Sequence, residues 1–206
     1  MPKGKTLFWL LTGASLAIAL YAIVGYAFMT PGRTVHPAMM AAYAAHPWRI
    51  LIHVAASLVA LAVGPFQFIP ALRRRRTLHR TLGMIYFSMV FIGGIAGLFT
   101  AAIAQGGIIS QSGFMVLALL WIYTSIRALR AVKLHDYVAH SKWAMRSFAL
   151  TFSAVTIRLQ LGLGFASGHA FEDFYWMLSW TCWIPNLIVA EWMIRRNRRS
   201  ALATTS

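Results

Sequence analysis

Six apolar stretches of about 20 residues each, separated by short polar segments, constrain the fold of this chain more than any other feature. Apolar runs of this length cross the hydrocarbon core of a bilayer as helices, because a helix satisfies its own backbone groups. The pattern predicts an all-α integral membrane bundle that forms a single domain, residues 1–206. Six transmembrane helices are predicted at about residues 7–29, 48–69, 79–104, 113–130, 142–163 and 174–194, followed by a basic tail, 195–206.

The basic side chains are distributed unevenly around these helices. Charged residues make up only 11% of the chain, yet Lys and Arg number 19 and the net charge is +15. All but three of the basic side chains fall on one side of the predicted membrane, and the exceptions are Arg33, Arg49 and Arg158. Cytoplasmic loops carry the excess of Lys and Arg, so both termini of this multi-pass membrane protein are predicted to be cytoplasmic. Orientation and attraction to anionic lipid then explain the net charge, and we predict no nucleic-acid partner.

The fifth predicted helix carries a polar stripe along one face. At 100° per residue, His140, Ser147, Thr151 and Arg158 fall close to one line. Helical rise places the two ends of this stripe roughly 27 Å apart, which is nearly one hydrocarbon thickness. A helix that only anchors a protein does not need such a stripe, so the sequence predicts a buried polar interior.

The second predicted helix has a similar face. It consists of His53, Ser57, Ala60, Gly64 and Gln67. Ionisable groups inside a membrane are costly and usually face a cavity or a partner. His53 and Arg158 lie at similar depths below the outer surface, so we predict that they form an outer pocket, in which a donor group could bind a quinone carbonyl. The alternative is that His53 only bonds to a neighbouring helix.

A second polar layer is predicted near the cytoplasmic surface. His79 and His140 open two different helices at matched depth, which suits bis-imidazole ligation of the iron of haem b. Arg146 would then lie beside a propionate and Tyr86 against the ring face. Glycines on the His79 face of the third helix would admit a flat ligand. Structural or lipid-contact roles for these histidines, or a site for a quinone or another small molecule, remain alternatives.

Acidic residues argue against two other classes of membrane protein. The chain has four of them, Asp136, Glu172, Asp173 and Glu191, and none lies deep in a predicted helix. Proton pumps and cation-coupled transporters normally need a buried carboxylate, so neither class is favoured.

Several segments together resemble an uncharacterised family of six-helix bacterial membrane proteins, a domain of unknown function. The matching residues are His53, Gln67, LHRTLGMIY (78–86), His140, Trp143, Arg146, Ser147, Ala149, Leu150, Thr156, Arg158 and WIPNLIVAE (183–191). The resemblance implies a six-helix architecture and no particular activity. A looser similarity is to the ascorbate-reducible b-type cytochromes, which hold two haems with four histidines on their four central helices. Here the fourth helix has no histidine, so the similarity implies one haem rather than two.

Two functional hypotheses follow from these observations. The first is a b-type cytochrome-like electron-transfer protein with one haem at the cytoplasmic side, linked to quinol or another redox partner. The second is a non-redox membrane protein that binds a small molecule or lipid in the His53/Arg158 pocket, or an accessory subunit of a membrane complex. An enzymatic role, as a membrane oxidoreductase, would depend on the cofactor, and no catalytic residue is assigned.

Overall fold

The computed structural model describes residues 3–27, 37, 40, 44–45 and 47–203, and every regular element in this part of the chain is helical. The helices are α1 Lys3–Ala27, α2 Pro47–Val63, α3 Pro70–Arg74, α4 Arg76–Ala101, α5 Gly107–Lys133, α6 Tyr137–Thr151, α7 Ser153–Ala166, α8 Phe171–Thr181 and α9 Ile184–Ala203. A 3₁₀ segment, Gly64–Phe68, continues α2. The predicted all-α class is therefore confirmed.

Among the residues that the structure describes, four helical segments are long and apolar enough to cross a membrane. They are Pro47–Phe68, Arg76–Ala101, Gly107–Lys133 and Tyr137–Ala166, with mean hydropathies of 1.9, 2.0, 1.5 and 1.4. Within α1, Phe8–Val24 forms a shorter apolar stretch. The predicted end of the first helix at Met29 lies outside the described residues, as do the last residues of the basic tail. Membrane crossing by α1 and by α8 with α9 stays a prediction.

The boundaries of the fourth predicted helix were wrong at its start. Residues 105–112 were expected to lie before the helix because they are rich in Gly and Ser, but α5 begins at Gly107. The connection between α4 and α5 is residues 102–106, and it ends at Gly106, whose φ angle of 86°, like the 68° of Gly107, is readily adopted only by glycine. The residues after Gly106 enter the helix.

A break between α8 and α9 interrupts the sixth predicted helix. Pro185 has no N–H with which to bond the carbonyl four residues earlier, at Thr181. Gln160 Nε2 donates to this carbonyl oxygen at 3.3 Å, and Asn186 Nδ2 donates to the Cys182 carbonyl oxygen at 3.0 Å. Side chains thus compensate for the backbone bond that the proline removes.

The main core lies where α4, α5 and α6 meet α2 and the break before α9. Its buried members are Ala60, Tyr86, Phe87, Val90, Trp121, Ala128, Leu150, Cys182 and Trp183. The α2 and α4 backbones approach closely, since a Cβ added at Gly93 would lie 3.3 Å from the Ala56 Cβ. Many large apolar side chains on the outer faces are exposed, among them Ile95 and Leu119, as expected for surfaces that contact lipid.

Candidate functional site

A cavity of about 600 Å³ lies among the helices, in the half of the bundle that contains His53 and Arg158. Its walls come from α1, α2, α4, α5, α6, α7 and α8, and they are mostly apolar and aromatic. The polar residues of the lining include His53, Ser57, Trp121, Thr151 and Arg158. His79 and His140 do not belong to this lining. The structure therefore brings the two predicted outer-pocket residues to one cavity.

The ring of His53 is oriented by a bond to the neighbouring helix. Its Nδ1 lies 2.7 Å from the carbonyl oxygen of Gly93, and because a carbonyl oxygen only accepts, Nδ1 carries the hydrogen and donates. Gly97 lies against the same ring edge, since a Cβ there would be 2.9 Å from Nδ1 and 3.1 Å from Cε1. The other ring nitrogen, Nε2, makes no hydrogen bond to a residue that the structure describes, and His53 lines the cavity. In the neutral ring this nitrogen is an acceptor.

Arg158 contributes a positive charge to the same cavity. Its side chain is half-buried, and Nη1 donates to the carbonyl oxygen of Ala154 at 2.7 Å, one turn earlier in the helix. This bond leaves other N–H groups of the guanidinium, which has five donors. Arg158 and His53 line the same cavity.

Ser57, one turn after His53, adds a hydroxyl without a partner. Its Oγ is buried and makes no hydrogen bond to any residue that the structure describes. A buried hydroxyl left unpaired costs about 1–3 kcal/mol. The sequence placed Ser57 on the His53 face but gave no sign that its hydroxyl lacks a bond.

A network of hydroxyl groups lies beside the cavity and joins three helices. Tyr86 OH on α4 is 2.8 Å from both Ser147 Oγ and Thr151 Oγ1 on α6. From α5, Trp121 Nε1 donates to Thr151 Oγ1 at 2.9 Å, and Ser125 Oγ lies 2.8 Å from Ser147 Oγ. The polar stripe predicted on the fifth helix therefore includes an interhelical network. The sequence showed Ser147 and Thr151 on one face but missed their partners on α4 and α5.

The cytoplasmic-layer histidines are both held through Nδ1. His140 Nδ1 lies 3.0 Å from the carbonyl oxygen of Ala128, to which it donates. In the amide orientation that satisfies both partners, Gln67 donates to His79 Nδ1 at 3.0 Å and accepts from the Gly83 N–H at 3.2 Å. His79 and His140 lie close enough for their charges to interact. The structure thus brings together the two residues that were predicted as a pair.

Arg146 makes an ion pair that the sequence did not predict. Its Nε and Nη2 both donate to the carboxylate of Glu191 on α9, the second at 3.0 Å from Oε2. The guanidinium also lies 4.4 Å from the ring centroid of Trp143, and that of Arg127 lies 4.6 Å from the same centroid. Sequence spacing could not identify the partner because Glu191 is 45 residues away along the chain.

Metal ligands are sparse in the described part of the chain. No group of three or more His, Cys, Asp or Glu side chains that could hold a metal ion occurs among those residues. His79 and His140 form a pair with two ring nitrogens, the Nε2 atoms, that are not used in the bonds described above. In the neutral rings, His140 donates through Nδ1 whereas His79 accepts there from Gln67, so only His140 presents a lone pair on Nε2.

The fold and the cavity define a polytopic helical membrane protein with a largely apolar internal site. A family model described as "Predicted membrane protein (DUF2306)" matches residues 50–194, and the chain belongs to this family. The resemblance to a membrane family of unknown function is thereby confirmed, whereas similarity to the b-type cytochromes stays a prediction. No curated protein and no solved structure matches the chain.

Proposed function

We propose that this membrane protein binds a small, largely apolar molecule in the cavity and that His53 and Arg158 hold the polar head of that molecule. The observation that carries the proposal is the cavity itself, about 600 Å³ in volume with a mostly apolar lining. Small-molecule sites typically measure about 300–1,000 Å³ and combine apolar walls with a few polar groups. Both properties hold here.

The polar groups of the cavity support a ligand rather than simple helix packing. An ionisable side chain inside a membrane normally has a partner or a functional role. Arg158 reaches the carbonyl of Ala154, but no carboxylate lies among the residues that line the cavity. A ligand with a polar oxygen would give the Arg158 guanidinium an acceptor.

The membrane arrangement that accompanies this proposal has six crossings. The four long segments cross the bilayer, and α1 and the pair α8 and α9 supply the remaining two. The distribution of Lys and Arg favours cytoplasmic termini in a bacterial cytoplasmic membrane. His53 lies six residues after the start of α2, about 9 Å along the helix axis, so the cavity belongs to the outer half of the membrane.

A cavity-filling variant tests the proposal. Gly162 lines the cavity and Gly13 does not, yet a Cβ added at either glycine would meet no atom within 4 Å. We expect Gly162→Phe to reduce the amount of small molecule extracted with organic solvent from the purified protein by at least about tenfold, measured by mass spectrometry. Gly13→Phe is the matched control and should retain the wild-type amount. Equal recovery from both variants, or no bound molecule in the wild type, would contradict the proposal.

A second candidate is haem b between His79 and His140, with electron transfer to or from quinol. The favouring observation is that the His140 ring is held by donation from Nδ1, an arrangement common in metal-ligating histidines, where the other nitrogen binds the metal. A bound haem would supply one-electron redox chemistry. His140 fits directly, since its Nδ1 donates to a carbonyl oxygen. His79 fits only if the Gln67 amide turns over to accept from Nδ1, and Arg146 would share its guanidinium between a propionate and Glu191.

Absorption spectroscopy of protein purified from haem-replete cells tests this second candidate. We expect a Soret band that is lost in His140→Ala and retained in His169→Ala, because His169 is exposed in the loop after α7. Gln67→Glu provides a second variant for the same measurement. A carboxylate only accepts hydrogen bonds, so it would favour the tautomer of His79 that carries the hydrogen on Nδ1, as haem ligation through Nε2 requires. A colourless wild-type protein would exclude the candidate and leave the cavity proposal standing.

A further inference from the structure

We infer that the polar head of the cavity ligand is a ring hydroxyl that donates to His53 Nε2, with a second oxygen that accepts from Arg158, as in a quinol rather than a quinone. This inference rests on the proposed function, and it specifies the hydrogen-bonding character of the molecule that the cavity binds. Four observations lead to it.

The first observation is the tautomer of His53. The carbonyl oxygen of Gly93 fixes the hydrogen on Nδ1, at 2.7 Å. In the neutral ring, the Nε2 atom of this cavity-lining residue then offers a lone pair and not a hydrogen. A quinone carbonyl would place one lone pair against another at this position. A hydroxyl group would donate, so His53 selects a ligand that carries one.

The second observation is the character of the facing groups. Arg158 is a permanent donor, and its Nη1 is directed to Ala154, which leaves its other N–H groups for an acceptor oxygen. The cavity therefore offers an accepting group, His53 Nε2, and a donating group, the Arg158 guanidinium. A ring that carries two oxygens could bond to both groups.

The third observation is the absence of negative charge. The four acidic residues of the chain are Asp136, Glu172, Asp173 and Glu191, and none of them lines the cavity. A cationic amphiphile would meet Arg158 with no counter-charge, so the cavity excludes this class of ligand. A neutral hydroxyl-bearing head avoids that cost.

The fourth observation is the aromatic lining. Phe114, Trp121 and Tyr175 line the cavity, together with aliphatic side chains such as Leu117 and Leu161. Aromatic side chains pack favourably against a flat ring, in offset or edge-to-face geometry. The remaining apolar wall suits an alkyl tail. The lining thus fits a ring with a hydrocarbon substituent.

Two probes with one carbon skeleton test the inference: decylubiquinol and decylubiquinone, titrated into the purified full-length protein under argon by calorimetry. We expect the quinol to bind at least about tenfold more tightly, because the quinone leaves His53 Nε2 facing a lone pair. In His53→Asn, the amide can still donate to the Gly93 carbonyl but the ring nitrogen is gone. The preference should then fall below about threefold, chiefly through weaker quinol binding. His169→Asn, at an exposed histidine, should leave the preference unchanged.

The outcomes separate this inference from the proposed function. Tighter binding of the quinol that is lost in Gly162→Phe and retained in Gly13→Phe supports both. Quinone binding that equals or exceeds quinol binding at the same site overturns the inference alone. If neither probe binds while another molecule is extracted from the wild type and lost in Gly162→Phe, the inference fails and the proposed function stands. If nothing is extracted and neither probe binds, both fail.

Discussion

His53 donates through Nδ1 to the backbone carbonyl of Gly93, across the contact between α2 and α4. This bond determines the chemistry of the cavity, because it fixes which ring nitrogen carries the hydrogen. It also explains why α4 has glycines here, since a side chain at position 93 or 97 would occupy the space of Ser57 or of the ring. Close approach of two helices and the orientation of one side chain are therefore linked.

Alanine at position 97 should disturb His53 specifically. Its Cβ would lie 2.9 Å from Nδ1, closer than real contacts allow, so the ring must move away from Gly93. We expect Gly97→Ala to lower the free energy of unfolding by about 1–3 kcal/mol, measured by denaturant titration in mixed micelles, and to weaken ligand binding in the cavity. The matched control is Gly83→Ala on the same helix, where the nearest side-chain atom is at 3.4 Å. That change should stay within about 1 kcal/mol. Equal effects of the two substitutions would contradict the role of the His53 contact.

The hydroxyl network predicts that loss of the Tyr86 hydroxyl lowers the free energy of unfolding more than loss of the Tyr123 hydroxyl. Tyr86→Phe removes the phenol that bridges Ser147 and Thr151, in a buried position. We expect a loss of about 1–2 kcal/mol in the free energy of unfolding, because interhelical hydrogen bonds in membranes contribute modestly. Tyr123→Phe removes an exposed hydroxyl that accepts from Arg127, and should cost less than about 0.5 kcal/mol. Denaturant titration in mixed micelles compares the two variants. If Tyr123→Phe lowered the free energy of unfolding as much as Tyr86→Phe, the hydroxyl network would not be stabilising.

The sequence predicts which residues share a face of one helix, but it does not predict contacts between residues that are far apart in the chain. Helical periodicity alone places His53, Ser57 and Arg158 on inward faces, because it requires only the angle per residue. It could not identify Gly93 as the partner of His53, since the two are 40 residues apart and meet only through tertiary packing. For the same reason it left open whether the imidazole of His53 or the guanidinium of Arg158 would donate to a ligand in the predicted pocket.

Two other differences between the predictions and the structure have their own causes. The start of α5 was misplaced because a run of Gly and Ser resembles a loop, although only Gly106 and Gly107 have positive φ. Arg146 was expected beside a haem propionate because it lies near His140 along the helix. Its bond to Glu191 depends on where α9 packs, which no short-range pattern specifies. Whether a haem shares this arginine stays a prediction.

The ion pair between Arg146 and Glu191 should tolerate exchange of its charges. The two side chains are 20% and 35% exposed, so the pair is partly shielded from solvent and its bidentate geometry is favourable. We expect Arg146→Glu and Glu191→Arg each to lower the free energy of unfolding by about 1–3 kcal/mol, and the double variant to recover at least about half of the summed loss. Glu172→Arg, at an exposed residue of α8, is the control and should have little effect. Strict additivity of the two single changes would show that the pair is energetically unimportant.

Membrane topology can be tested by cysteine labelling in a Cys182→Ala background, since Cys182 is buried and is the one native cysteine. Ser167 lies exposed after α7, and Thr77 lies exposed in the first turn of α4. We expect a membrane-impermeant maleimide to label Ser167→Cys in intact cells, and to label Thr77→Cys and Ser206→Cys only after permeabilisation, because the excess of Lys and Arg keeps those segments inside. Ser206 also tests the sixth crossing, since the tail returns to the cytoplasm only if α8 and α9 together span the bilayer. Labelling of Ser206→Cys from outside, with Thr77→Cys protected, would reduce the number of crossings. The opposite pattern at Ser167 and Thr77 would reverse the orientation and place the His53 cavity in the cytoplasmic half of the membrane.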